Sequence, residues 1–292
     1  MGNQYIVKWG NILQDNYNYG ATISFDEKGS VSYSAPLMSP SLCIKNWYSQ
    51  KGFHISRNTP YLPLLQPGKR YHLKANLELE ETSSIQLKLI FFDRYNEMLD
   101  EYYFSTLEDD FVFLEDAVHY EIQLINKHHQ WLVFHELVIT ENTIQEGYQQ
   151  QSLAPDMYYY TYKKEVNKKV RLIFLMKKNQ VQQLRFHEET DYLFCVLDPK
   201  KNIDIVAITM LIFNVLLQKN LREVHVEFIK EINYYRLPQA IYQVPIILDQ
   251  LMGESTNIEA THTQWLAQAQ QQVDTMQLAV QVLQQILLRH SK

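Results

Sequence analysis

The chain carries ten histidines, and imidazole ligates metals and moves protons near neutral pH. His119, His128, His129 and His135 gather around Trp131 in sequence. His128 and His129 are adjacent, so on a strand they face opposite ways and cannot share one ion. No HExxH or CxxC spacing occurs, and no metal or cofactor is expected. No GxSxG turn is present to raise a hydrolase nucleophile. Cys195 stands near a strand end, before Val196-Leu197-Asp198, but no cation or helix start is poised on it, so packing is expected. Cys43 and Cys195 read as two reduced, buried thiols rather than a disulfide framework, which suits the cytoplasm. The acidic run Glu108-Asp109-Asp110 lacks the ligand spacing of a calcium loop and reads as a solvated turn. These residues give no reason to expect an enzyme.

Aromatic residues remain: 20 Tyr, 13 Phe and 4 Trp. Flat rings serve sugar and partner surfaces, and they also fill cores. Trp47, Tyr48, Arg94, Tyr95 and Trp131 are the candidate glycan or partner contacts. Two of them lie in Ala35–Leu65, APLMSPSLCIKNWYSQKGFHISRNTPYLPLL, a stretch with four prolines and no clean period. It is too apolar for disorder and too long for an ordinary loop, so it reads as an ordered segment laid across a sheet.

The elements that must carry these residues alternate with period two. Tyr5–Trp9, Ala21–Phe25, Tyr71–Leu79, Ile85–Phe92, Leu99–Phe104, Phe111–Phe113, His119–Ile125 and Trp131–Thr140 are predicted strands between turn signals. Many short strands without intervening helices indicate an all-β sandwich of jelly-roll type over residues 1–144. Leu73, Ala75, Leu77 and Leu79 share one face with Leu87, Leu89, Ile122, Leu124, Leu132, Phe134 and Leu137 as the expected core. The formal net charge is −6. Residues 1–150 carry 11 Lys+Arg against 19 Asp+Glu, which argues against nucleic acid as a partner.

Residues 145–156 are polar and read as a linker to a smaller α/β domain over 157–292. Val170–Met176 is a buried strand inside the basic stretch Lys163–Lys178, a candidate contact with an anionic membrane surface. Tyr192–Leu197, a helix starting at Pro199 or Asn202 and running to Asn220, and Arg222–Ile229 form a βαβ unit. No glycine occurs between Tyr148 and Met252, which excludes a Gly-rich phosphate loop there. A capping box at Thr256–Glu259 predicts a long amphipathic helix over 257–290. Its seam includes Leu266, Val273, Met276, Val280, Leu283 and Leu287, either docked on the chain's own domain or offered to a partner. The first eleven residues lack an apolar signal region, and the apolar run Ile203–Leu217 is too short and polar to span a bilayer.

The blocks WGNILQDNYNYGATISF, APLMSPSLCIKNWYS, LPLLQPGKRYHLKANLEL, LKLIFFDRYNE and HYEIQLINKHHQWLVFHELVI occur in that order over residues 5–140. This set resembles the third accessory secretory protein (Asp) family of the accessory Sec system. The resemblance implies a non-catalytic subunit with a carbohydrate-binding-module-like sandwich. It also implies a cytoplasmic complex, peripheral at the inner face of the membrane, with the first and second accessory secretory proteins. That complex hands a serine-rich repeat glycoprotein adhesin to an accessory SecA-type ATPase. The alternative reading is a free-standing carbohydrate-binding module for GlcNAc- or Glc-type glycans.

Overall fold

The computed structural model describes residues 2–10, 15–26, 29–50, 60–154, 156–164, 169–177, 181–198, 204–229, 239–252 and 257–260. The chain divides into two units, one of residues 1–146 with 178–187, the other of 147–177 with 188–292.

The first unit is a sandwich of two antiparallel sheets. Its strands are β1 (Gly2–Val7), β2 (Thr22–Phe25), β3 (Val31–Ser34), β4 (Cys43–Tyr48), β5 (Arg70–Leu79), β6 (Ile85–Phe92), β7 (Met98–Tyr103), β8 (Glu108–Val112), β9 (His119–Asn126) and β10 (Trp131–Glu141). A further strand, Val181–Phe186 (β14 in chain order), pairs antiparallel with β1. The larger sheet is built on β10, with β1 and β3 along one side and β5 then β8 along the other. The smaller sheet runs β4-β9-β6-β7. Alternation explains both: Tyr71, Leu73 and Ala75 of β5 face Leu87, Leu89 and Phe91 of β6 and Tyr120, Ile122 and Leu124 of β9 in one shared core. On β10 the inward positions change parity from Leu132 and Phe134 to Leu137 and Ile139. A register shift between Phe134 and Glu136 absorbs the extra residue and keeps all four in the core.

The second unit holds β11 (Tyr148–Ala154), β12 (Met157–Tyr162), β13 (Lys169–Met176), β15 (Asp191–Leu197), β16 (Glu223–Phe228) and β17 (Asn257–Ala260) in one sheet ordered β11-β12-β15-β13-β16-β17. β11, β12 and β15 pair antiparallel, while β15, β13, β16 and β17 are parallel. The predicted βαβ unit is present, with helix Ile205–Gln218 between β15 and β16 and β13 inserted between those strands. The helix start differs from the expectation: Asp204 caps it, accepting the Ala207 N–H at 3.0 Å. Leu172, Phe174, Leu193, Cys195 and Val226 pack with Ile212, Leu216, Val244 and Leu248 in this unit's core.

Three expectations change. Residues 145–156 are not an irregular linker, because a short helix (Asn142–Gly147) runs directly into β11. Val181–Phe186, expected in the second domain, completes the larger sheet of the first unit. Asn257–Ala260 is an edge strand beside β16 rather than the first turn of a long helix. Its neighbours in the fold, not its local capping pattern, decide its state. The seam Leu266, Val273, Met276, Val280, Leu283 and Leu287 lies outside the described residues.

Candidate functional site

The Ala35–Leu65 segment is not irregular throughout, because Cys43–Tyr48 forms the outer strand β4 of the smaller sheet. A register shift between Cys43 and Lys45 hides its period in the sequence. Ile44, Lys45 and Trp47 are all fully buried. The Trp47 indole N–H donates to the Lys8 carbonyl at 3.1 Å, and its ring meets Trp9 edge-on at 5.8 Å and Phe134 at 5.3 Å. Trp47 therefore has no surface to offer a sugar or partner; it is core. The Lys45 ammonium sits among three rings, 5.1 Å from Tyr61, 5.7 Å from Trp9 and 5.9 Å from Trp47. Ring faces attract a cation most strongly when water is excluded. Gly10 has φ +79°, and a Cβ there would fall into the edge of the Tyr61 ring. The WGN and IKNWYS blocks are thus one packing unit.

β9 pins the segment at both ends. Asn126, fully buried, donates through Nδ2 to the carbonyls of Met38 (2.9 Å) and Ser39 (3.1 Å). Its backbone exchanges hydrogen bonds with Ser41 and Leu42. Tyr120 donates its hydroxyl to Pro63 O at 2.9 Å, and its amide donates to Ser49 Oγ at 2.8 Å. Asn126 Oδ1 must then accept from its neighbours: the His129 amide at 3.0 Å and the imidazole Nδ1 at 2.7 Å. This assigns the proton to Nδ1 of a neutral ring, stacked on Tyr33 at 5.5 Å, with burial lowering the imidazole pKa.

Alternation sends Asn46 and Tyr48 of β4 to the outer face of the smaller sheet. There they join Glu121 and Gln123 of β9 and Lys88 of β6, with Glu101 and Tyr103 of β7. Asn46 donates to Glu121 at 2.7 Å, and Lys88 reaches Glu101 at 2.6 Å with its ammonium 4.9 Å from the Tyr103 ring. The Lys88 pair lowers the Glu101 carboxyl pKa. Arg94 and Tyr95 stand at the tip of the β6–β7 hairpin. Asp93 Oδ1 accepts the Tyr95 and Glu97 amides at 2.8 and 2.9 Å, and Asn96 takes φ +67°. That locked turn displays the Tyr95 ring, 72% exposed, with the Arg94 guanidinium 5.1 Å from it. Tyr48, Arg94 and Tyr95 therefore share one sheet. Trp131 does not, because it begins β10 opposite Ser34 in the larger sheet, partly exposed.

Both cysteines, His72 and His135 are tied into the structure. Burial pushes the Cys43 thiol up to about 12 and raises Cys195 further. Glu108 and Asp110 lie on strand β8, not in a free turn, and bracket His72 at 3.0 and 2.7 Å; Glu108 also holds Lys74 at 2.7 Å. His135 bonds Ser30 and Glu78. Among the described residues no three metal-ligating side chains converge. In the basic stretch, Lys169 pairs with Glu223, Arg171 with Glu188 and Glu227, and Lys177 with Asp156.

Comparison with known proteins follows the sandwich. The family model described as "Accessory Sec secretory system ASP3" matches residues 16–141. The ASP3 protein of the accessory Sec system of Streptococcus gordonii is 34% identical over 125 residues, 43% of this chain and 79% of its own length. Its counterpart from Staphylococcus aureus is 29% identical over 147 residues, 50% of this chain; the match spans 46% of that relative, less than half its length. A solved structure of accessory secretory proteins 1, 2 and 3 from Streptococcus pneumoniae aligns with 28% identity and a TM-score of 0.45, covering 47% of this chain and 94% of the matched one. The ordered blocks that pack Trp9, Lys45, Trp47 and Tyr61 together lie in or beside the matched region, and by this kinship the chain belongs to the ASP3 family of the accessory Sec system.

Proposed function

We propose that the chain acts as a non-catalytic adaptor and chaperone-like subunit in accessory Sec export of a serine-rich repeat glycoprotein adhesin. In this reading it assembles in the cytoplasm with the first and second accessory secretory proteins and serves an accessory SecA-type ATPase. The observation that carries the reading is the family kinship over the sandwich, at 34% identity with 79% of a relative's length. The chemistry is compatible, since the described cysteines and histidines are tied into packing and hydrogen bonds rather than poised for reaction. The hairpin tip with Arg94 and Tyr95 supplies residue types that dominate interface energetics, on a turn already held in shape. Within the basic stretch Lys169, Arg171 and Lys177 are paired with carboxylates, so the reading assigns those three no membrane contact. No helix among the described residues is long and apolar enough to cross a membrane.

Affinity purification of the tagged chain from its own cells tests the proposal. Retention of both sister subunits, weakened by Arg94→Ala with Tyr95→Ala, is expected. Failure to retain them, together with direct binding to GlcNAc- or Glc-decorated peptide, would replace the adaptor with a free-standing glycan-binding module.

A further inference from the structure

The negative charge of the first half is confined to one place. Residues 93–116 carry nine Asp+Glu and one Arg, while the rest of residues 1–150 carry ten of each sign. That stretch contains β7 and β8, the two outermost strands on one side of their sheets: among the described residues β7 pairs only with β6, and β8 only with β5. All six residues of β7 are exposed, with Met98 at 58% and Tyr103 at 47%. Its backbone thus offers an unpaired edge, the template on which another strand can add.

The side chains along that edge say which strand fits. Asp100 follows the inward parity of its partner Phe91, and Tyr102 that of Leu89; Glu101 and Tyr103 take the other side. Tyr102 donates its hydroxyl to Asp109 of β8 at 3.2 Å, which draws the acidic groups of the two edges together. Glu101 is neutralised by Lys88, whereas Asp100 and Asp109 have no cationic partner among the described residues. A second copy of β7 added antiparallel would set acids against acids at Asp100 and Glu101, which is destabilising. The edge is therefore closed to itself and open to the opposite sign.

We propose that β7 is a docking edge for an extended, basic segment of a partner polypeptide. This segment adds as a strand, sets Lys or Arg against Asp100 and Asp109 on one face, and lays apolar residues on Met98 and Tyr103 on the other. Backbone hydrogen bonds supply the binding and the charges supply selectivity. The edge continues from the Arg94–Tyr95 hairpin tip, but the proposal rests on the edge's own backbone and charge and does not depend on the sister-subunit reading.

The test uses the full chain and a labelled nine-residue peptide of alternating lysine and valine. Fluorescence anisotropy should show saturable binding that weakens about tenfold between 0.05 and 0.5 M salt. Hydrogen exchange should slow at the amides of 98–103. Asp100→Lys with Asp109→Asn should cut affinity about tenfold with little change in melting temperature, because Asp100 is exposed and the asparagine carbonyl oxygen can still accept a hydrogen bond. Methylating alternate peptide amides should abolish binding. Equal binding of a glutamate–valine peptide, undiminished binding of the methylated peptide, or slowed exchange confined to other strands would each overturn the proposal. None of these outcomes bears on whether the sister subunits co-purify.

Discussion

Trp47 and Tyr95 are both large aromatics in family-like blocks, yet the fold gives them opposite duties. Trp47 is enclosed by Trp9 and Phe134, and its N–H is satisfied inside. Trp47→Ala is expected to cost about 3–5 kcal/mol in urea denaturation, from lost burial plus the cavity left behind. Tyr95→Ala should leave the urea midpoint within error and lower only partner retention, since the ring is largely in water. Lys45 is a sharper case. Lys45→Ala empties a box of three rings and should destabilise by about 3 kcal/mol, whereas Lys45→Met keeps the volume without the charge and should lose less. Equal losses would show that the rings hold the charge rather than the stem.

His129 carries a pH dependence whose sign follows from its burial. The folded ring has a pKa below its usual 6.5, so the unfolded chain binds the proton more readily between the two values. Stability is full above about pH 6.5 and falls as pH drops through the folded pKa. Urea midpoints at pH 7.5 and 5 should differ, and His129→Gln should shrink that difference even if it lowers both midpoints.

At the scale of elements, alternation made β5, β6, β9 and β10 legible, because each buries one face against an apolar core. β4 was hidden because its register shift buries Ile44 and Lys45 in succession and because prolines surround it. No sequence pattern marks a lysine as a core residue; only the converging rings of Trp9, Trp47 and Tyr61 do. The sequence placed Tyr48, Arg94 and Tyr95 among the candidates, but with β4 hidden it gave no sign that alternation turns Trp47 into the core and Tyr48 out of it. Gly10 is an element-scale control. Gly10→Ala must relieve both a positive φ and a clash with Tyr61, so a loss of at least about 2 kcal/mol is expected by thermal melting.

For the molecule as a whole, the missed element is β14. Its VQQLRF pattern reads as a strand anywhere, and only its long-range pairing with β1 assigns it to the first unit. A fragment ending at residue 147 therefore lacks a sheet neighbour, leaves β1 with an open edge, and should aggregate or melt well below the full chain. The same interleaving has a topological consequence. The chain passes from one unit to the other three times, near 146, 177 and 187. A protease that nicks it once near 147 would not release a free sandwich, because the downstream fragment still supplies β14 to β1. The two pieces should travel as one particle through a sizing column and part only in denaturant, like a clasp that stays shut after its strap is cut.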